Sequence, residues 1–244
     1  MSDLVLHALS EVLGPGTLEP HFQPIVSLQE GTPAGVEALA RWRGSDDVIT
    51  SASALRTAAD RAGLRAPLAA AMTQAALAVF STSAWAAGLT LSLNATASDL
   101  EEGGFGRNLP TWANAAGVPL ERVWLELTEE ERPRDMAELA KTLNSLRRLG
   151  VRVAADDFGT GYAGLSWLLS LPLDGVKLDA SFTEALPATT ATAVAQAVAG
   201  LGAALNLRLT AEGIETEQQR ALLMSYGFGF GQGRLFGMPQ ATWS

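Results

Sequence analysis

The sequence predicts an α/β fold of the parallel-barrel type, and three observations predict it. Short β-type runs alternate with helical patterns from residue 85 onward, each run closes on a polar residue, and 244 residues without a linker suit one barrel domain. Strands alternating with helices pair in parallel, because the crossover between parallel neighbours needs a dozen or more residues.

Residues 1–19 read as an N-terminal extension or helix, and 20–244 as a single barrel domain. His21 to Leu28 and Gly35 to Trp42 are two strands joined by Gln29-Glu30-Gly31-Thr32-Pro33, a turn short enough to make them an antiparallel hairpin. Helices are expected near Ser53 to Ala62 and Ala66 to Phe80. Five strands follow, at Leu89 to Asn94, Val123 to Leu127, Val151 to Asp156, Gly175 to Asp179 and Leu207 to Glu212. Helical stretches lie between them, including Thr189 to Leu205 and Arg134 to Leu149, the latter stopped by Gly150.

Composition narrows the function. With 17 Lys+Arg against 26 Asp+Glu the formal charge is −9, so broad basic patches for duplex nucleic acid or anionic lipid are not expected. There is no Cys, which excludes disulfides, thiolate zinc sites and cysteine nucleophiles. His7 and His21 are too few for a polyhistidine metal site or a Ser-His-Asp triad, and a structural or surface role is expected for both. The first ten residues carry Asp3 and no Lys or Arg, unlike a secretory signal, and the Ala-rich stretches 66–80 and 191–207 fall short of a membrane span. A cytoplasmic address without a membrane span is therefore expected.

Asn94, Glu126, Asp156, Asp157, Lys177 and Glu212 stand at or just beyond the C-terminal ends of expected strands. In a parallel barrel all these ends open on one face, so groups far apart in sequence converge on one mouth. Clustered carboxylates must be protonated, paired with cations or bound to metal. Glu126, Asp156, Asp157 and Glu212, with Glu37 and the Asn94 amide, offer oxygen donors suited to Mg²⁺ or Mn²⁺. An adjacent Asp pair lets one carboxylate bridge two ions about 3.5 to 4 Å apart, an arrangement for attack of water on a phosphodiester. Metal charge would also let an acidic mouth hold an anionic phosphate. Lys177 reads as an orienting, charge-stabilising cation, since negative neighbours keep it protonated; the competing reading is an exposed strand-end lysine.

These residues sit in a series of motifs. Gln23-Pro24-Ile25-Val26, Glu37-Ala38-Leu39-Ala40-Arg41-Trp42, Leu93-Asn94 and Glu126-Leu127-Thr128-Glu129 are followed by Asp156-Asp157-Phe158-Gly159-Thr160-Gly161-Tyr162. Leu171-Pro172-Leu173-Asp174 with Lys177-Leu178-Asp179, Ala211-Glu212-Gly213-Ile214-Glu215-Thr216 and Gly231-Gln232-Gly233 with Leu235-Phe236 complete the order. The chain resembles, from about residue 20 to 240, the EAL domain family, phosphodiesterases of cyclic diguanylate (c-di-GMP). The resemblance implies a TIM-like (β/α)8 barrel with one antiparallel strand near the N-terminus and hydrolysis of c-di-GMP to linear pGpG with two Mg²⁺ or Mn²⁺ ions. It further implies that Glu37, Asn94, Glu126 and Asp156 hold one metal and that Asp156 and Asp157 hold the second. Lys177 would lie beside the attacking water, and Glu212 and Gln232 would hold metal-bound water or the second metal, so that Glu37, Lys177, Glu212 and Gln232 form the catalytic set. Gln23, Leu39 and Arg41 match substrate contacts, and Glu129 matches an anchor for the loop Phe158 to Leu165, which the family uses at a homodimer interface. A sensor or cyclase domain is a further implied partner.

The chain departs from the family pattern at Ile49 to Leu55, where a Pro and an aromatic are usual, at Ala163-Gly164, and at Arg234, which replaces an aromatic. No departure touches an expected metal ligand. Gly159-Thr160-Gly161-Tyr162-Ala163-Gly164 fits a dinucleotide fingerprint, but only ten residues separate it from the next strand and Asp156-Asp157 would repel a bare pyrophosphate. The main functional rival is a catalytically weak or inactive c-di-GMP sensor or interaction module. A polynucleotide nuclease would need a basic track that this composition does not supply. Trp42, next to Arg41, is expected to border the ligand, and the other five Trp to pack.

Overall fold

The structure is a computed structural model that describes residues 7, 9–11, 13–101, 104–128, 132–159 and 164–243. Its elements are β1 (Gly16–Ser27), β2 (Pro33–Gly44), β3 (Ile49–Thr50), α1 (Ala52–Arg61), α2 (Arg65–Thr82), β4 (Thr90–Ala95), α3 (Ala97–Glu101), α4 (Phe105–Ala116) and β5 (Val123–Thr128). They continue as α5 (Met136–Arg148), β6 (Arg152–Phe158), α6 (Gly164–Ser170), β7 (Gly175–Leu178), α7 (Ala180–Glu184), α8 (Thr189–Leu205), β8 (Arg208–Ala211), α9 (Glu217–Tyr226) and β9 (Phe230–Gly231).

The sheet order β1-β9-β8-β7-β6-β5-β4-β2 closes through β1 pairing with β2, giving an eight-stranded barrel with β3 outside it. β1 runs antiparallel to both its neighbours, β2 and β9, while the remaining barrel neighbours are parallel. The expected TIM-like barrel with one antiparallel strand is therefore the observed fold. Several short elements, among them β3, α3, α6, α7 and β9, and two longer helices, α4 and α9, were not placed from the sequence. β9 is only two residues long, too short for a periodicity to register. α4 carries Pro110 in its interior, a residue that ordinarily argues against helix. Gly106, one turn earlier on the same helix, serves packing: a Cβ there would meet Thr142 Cγ2 of α5 at 2.7 Å.

Alternation along each strand sorts residues between two compartments. Leu91, Leu93, Leu125, Leu127, Val153, Val176, Leu178 and Leu209 face the helices and form the main core with Leu77, Phe80, Leu109, Leu139 and Leu143. Ile25, Ser92, Trp124, Ala154, Lys177, Arg208 and Thr210 instead line a small cavity in the lumen. The floor of the lumen is filled by Arg208, whose guanidinium lies 3.6 Å from the Phe230 ring centre and 4.8 Å from that of Trp124. Burial lowers its pKa to about 10, with Glu126 opposing the shift. Gly175 makes room for this stack, because a Cβ there would approach Trp124 to 3.0 Å.

Trp42 corrects an expectation. It is 1% exposed and packs outside the barrel with Leu9, Leu55, Ala59 and Leu68, so it does not border the mouth. Arg41 and Trp42 are adjacent on a strand, and alternation sends them to opposite faces. No helix among the described residues is long and apolar enough to cross a membrane.

Candidate active site

The lumen-facing set Glu37, Asn94, Glu126, Asp156, Lys177, Glu212 and Gln232 meets at the C-terminal mouth. Register brings the pairs together directly: Gln23 opposes Glu37, Asn94 lies beside Glu126, and Thr128 beside Asp156. Lys177 is at the centre, buried, with Nζ 2.6 Å from Glu212 Oε1, 2.8 Å from Glu126 Oε2, 2.9 Å from Asp156 Oδ1 and 3.2 Å from Glu37 Oε2. It is thus a buried cation among carboxylates, not an exposed strand-end lysine.

Two amides hold Glu37 from either side. Asn94 Nδ2 donates to Oε1 at 2.7 Å and Gln232 Nε2 to Oε2 at 2.8 Å. Gln232 Nε2 also donates to Gln23 Oε1 at 2.9 Å, and Gln23 Nε2 to the Gly237 carbonyl at 3.2 Å. Gln23 and Gln232 therefore form a relay that fixes the Glu37 side of the mouth.

Asp156 and Asp157 pose a geometrical problem, because adjacent strand residues point to opposite faces. The chain solves it by breaking the strand pattern: the β6–β7 register shifts between Ala155 and Phe158, and Asp157 takes φ = 53°. Left-handed backbone is unfavourable for most residues but tolerated by Asp, Asn and Gly. As a result Asp157 lines the mouth with Asp156. Asp157→Gly should leave the metal-free protein at least as stable as the wild type, whereas Asp157→Val should cost about 1–2 kcal/mol. Thermal unfolding of both variants checks this, with a Tm for the Val form lower by several degrees.

The carboxylates divide electrostatically. Burial alone would raise the pKa of Glu37, but Lys177 and the two amides outweigh it and hold the carboxyl below its usual range. Burial, opposed by Lys177 and reinforced by Glu37 and Asp156, lifts Glu126 to about 7. Burial and the neighbouring Asp156 lift Asp157 to about 6. Asp156 is raised, and Glu212 well above its ordinary value, by burial against the partial relief of Lys177. One ammonium does not neutralise this many carboxylates, and the excess negative charge calls for further cations.

The residues fit hard divalent cations. Two groups have carboxylate oxygens within 4.8 Å of one another, Glu37-Glu126-Asp156 and Asp156-Asp157-Glu212, and they share Asp156. Asp156 Oδ1 has the Lys177 ammonium at 2.9 Å, while the buried Gln232 Oε1 accepts no hydrogen bond among the described residues. Overlapping carboxylates in an all-oxygen set, with more negative charge than one ammonium offsets, suit Mg²⁺-like ions.

Above this floor lies a cleft of about 410 Å³ lined also by Gln23, Leu39, Arg41, Arg56, Thr128, Glu215, Arg234 and Met238. Arg41 is half-buried, donates to the Ala40 carbonyl at 2.9 Å, and has no carboxylate partner among the described residues. Glu129 and residues 160–163 of the loop lie outside the described residues. Arg56, Thr128 and Glu215 were missed in the sequence reading, yet Thr128 had a signal, lying two residues past Glu126 on the same strand face. Asp179, which follows β7, is the N-cap of α7, accepting from Ser181 N at 3.0 Å.

Comparison with known proteins agrees with this geometry. The EAL domain model matches residues 6–239. The chain is 37% identical over 222 residues to a cyclic di-GMP phosphodiesterase of Pseudomonas aeruginosa, spanning 89% of this chain and 38% of the relative. It is 33% identical over 234 residues to a probable cyclic di-GMP phosphodiesterase of Escherichia coli, PdeG, spanning 95% and 46%. The chain thus spans under half the length of these curated relatives. Among solved structures, the PaMucR phosphodiesterase in complex with c-di-GMP superposes with a TM-score of 0.85 at 30% identity, covering 97% of both chains. A barrel closed by one antiparallel strand, an acidic mouth built on its strand ends and a matching family model together make this chain a member of the EAL domain family.

Proposed function

We propose that this chain hydrolyses c-di-GMP to linear pGpG with two divalent cations, Mg²⁺ or Mn²⁺. The observation that carries the reading is the pair of overlapping carboxylate groups sharing Asp156 under an arginine-bearing cleft. Relatives named cyclic di-GMP phosphodiesterases support the substrate. Glu37, Asn94, Glu126 and Asp156 would hold one ion, and Asp156, Asp157 and Glu212 the other. When bound, such ions supply Lewis acidity to the phosphodiester and an acidified water.

The chain's own groups do the rest. Arg41, without a carboxylate partner among the described residues, offers its fork to a phosphate oxygen. Lys177, held protonated by its neighbours, orients the attacking water and offsets charge building at phosphorus. Water adds to phosphorus while the ester bond to a ribose 3′-oxygen breaks, leaving a 5′-phosphate and a free 3′-hydroxyl. Gln23 and Gln232 keep Glu37 in place, and Leu39 forms the wall against the substrate. Glu129 would anchor the Phe158 to Leu165 loop. The exposed Leu165 and Leu169 on α6, 61% and 89% accessible, support association of two copies beside that loop. The greater length of the curated relatives supports a setting beside further domains, such as a sensor or cyclase.

Incubation of purified protein with c-di-GMP and Mn²⁺ or Mg²⁺ should yield pGpG, and excess EDTA should abolish the yield. Equal turnover in EDTA sinks the two-cation reading, while tight binding without turnover under any divalent ion establishes the sensor instead. Mn²⁺ at about a hundred times its Kd should stabilise the fold by about 2.7 kcal/mol, read as a rise in Tm.

A further inference from the structure

One wall of the cleft is built from two backbone segments locked together. Ile214 N donates to Gln232 O at 3.0 Å, Leu235 N to Ile214 O at 3.0 Å, and Gln232 N to Ala211 O at 2.9 Å. Gly233 between them has φ = 155°, and a Cβ there would lie 2.2 Å from the Ile214 oxygen, so no side chain fits. Arg234 therefore projects from a rigid mount. Its side chain is nonetheless 65% exposed, and its guanidinium is held by Glu215, Nη2 to Oε2 at 2.5 Å, a carboxylate that also lines the cleft.

The charges of the cleft are segregated. Glu37, Asp156, Asp157 and Glu212, around Lys177, lie at its base, while Arg41, Arg56 and Arg234, the last beside Glu215, line it higher up. A cyclic dinucleotide carries two phosphodiesters joined in one ring, so with the first over the floor the second is held at a fixed reach from it. A cation on a wall at that reach can meet it. An exposed guanidinium on a fixed backbone, already holding a carboxylate, is suited to exchange that carboxylate for a phosphodiester.

Resting on the phosphodiesterase reading above, we propose that Arg234 is a specificity-determining residue that binds the phosphodiester not being cleaved, in exchange for Glu215. Arg234 thereby selects a doubly charged ring over a substrate with a single diester. The mouth chemistry is left to the floor residues.

The test compares c-di-GMP with bis(p-nitrophenyl) phosphate, which has one diester, in Mn²⁺. Arg234→Gln should lower the ratio of kcat/KM for c-di-GMP over the single diester about tenfold, chiefly through KM, and Arg234→Lys should restore part of it. Glu215→Gln, which releases Arg234, should move the ratio the opposite way. A ratio within twofold of wild type in Arg234→Gln, or equal losses on both substrates, overturns the proposal. If the wild type cleaves neither substrate, the phosphodiesterase reading has failed on its own, and calorimetry of c-di-GMP binding in Ca²⁺ decides. A tenfold weaker Kd in Arg234→Gln then supports the proposal, and equal or absent binding overturns it.

Discussion

Asp156→Asn should lower kcat for c-di-GMP by about a thousandfold, the scale of losing a preorganised electrostatic group, with KM changed far less. The carboxamide keeps the shape and loses the charge. No other carboxylate belongs to both of the acidic groups at the mouth, so this one substitution weakens the hold on either cation. Gln23→Ala, by contrast, removes a link in the relay to Gln232 and should cost at most about tenfold, the lower range for outer-shell partners. Steady-state kinetics at saturating Mn²⁺ give the ranking, and the reverse order would mean that the cations lie elsewhere.

Lys177→Met should be the most destabilising change in the metal-free protein. It strips the shared cation from Glu37, Glu126, Asp156 and Glu212, all within 3.2 Å of its nitrogen. Breaking a buried ion pair costs about 3–5 kcal/mol, which for a chain of this size lowers Tm by roughly 6–20 °C. Divalent cations should return much of that stability, since they replace the missing charge, but not the turnover, since the orienting ammonium is gone. Calorimetry with EDTA and then with Mn²⁺ separates the two effects. A Tm within about 2 °C of wild type in EDTA would show that protonation of Glu126 and its neighbours compensates for the lost charge.

The legible part of the site followed from periodicity. Asn94, Glu126, Lys177 and Glu212 lie within two residues of the C-terminal ends of β4, β5, β7 and β8, and a polar residue late in an apolar run marks the mouth of a parallel barrel. Trp42 was misjudged because proximity in sequence was taken for proximity in space, and strand alternation separates what the sequence places side by side. β9 and α4 escaped for local reasons, the one too short and the other carrying Pro110. How Lys177 is shared among four carboxylates was not legible in the sequence, since the distances depend on the curvature of the closed sheet.

The left-handed backbone at Asp157 has an evolutionary consequence. A position that tolerates chiefly Asp, Asn and Gly limits which descendants of this barrel keep their fold when catalysis is no longer selected. Asp codons lie a single base change from those of Asn and Gly, so the route from hydrolase to receptor is short here. Such a step would retain the cleft and its arginines, and with them the ability to hold the nucleotide. Receptors descended from barrels of this geometry should therefore show Asn or Gly at this position far more often than a β-branched residue.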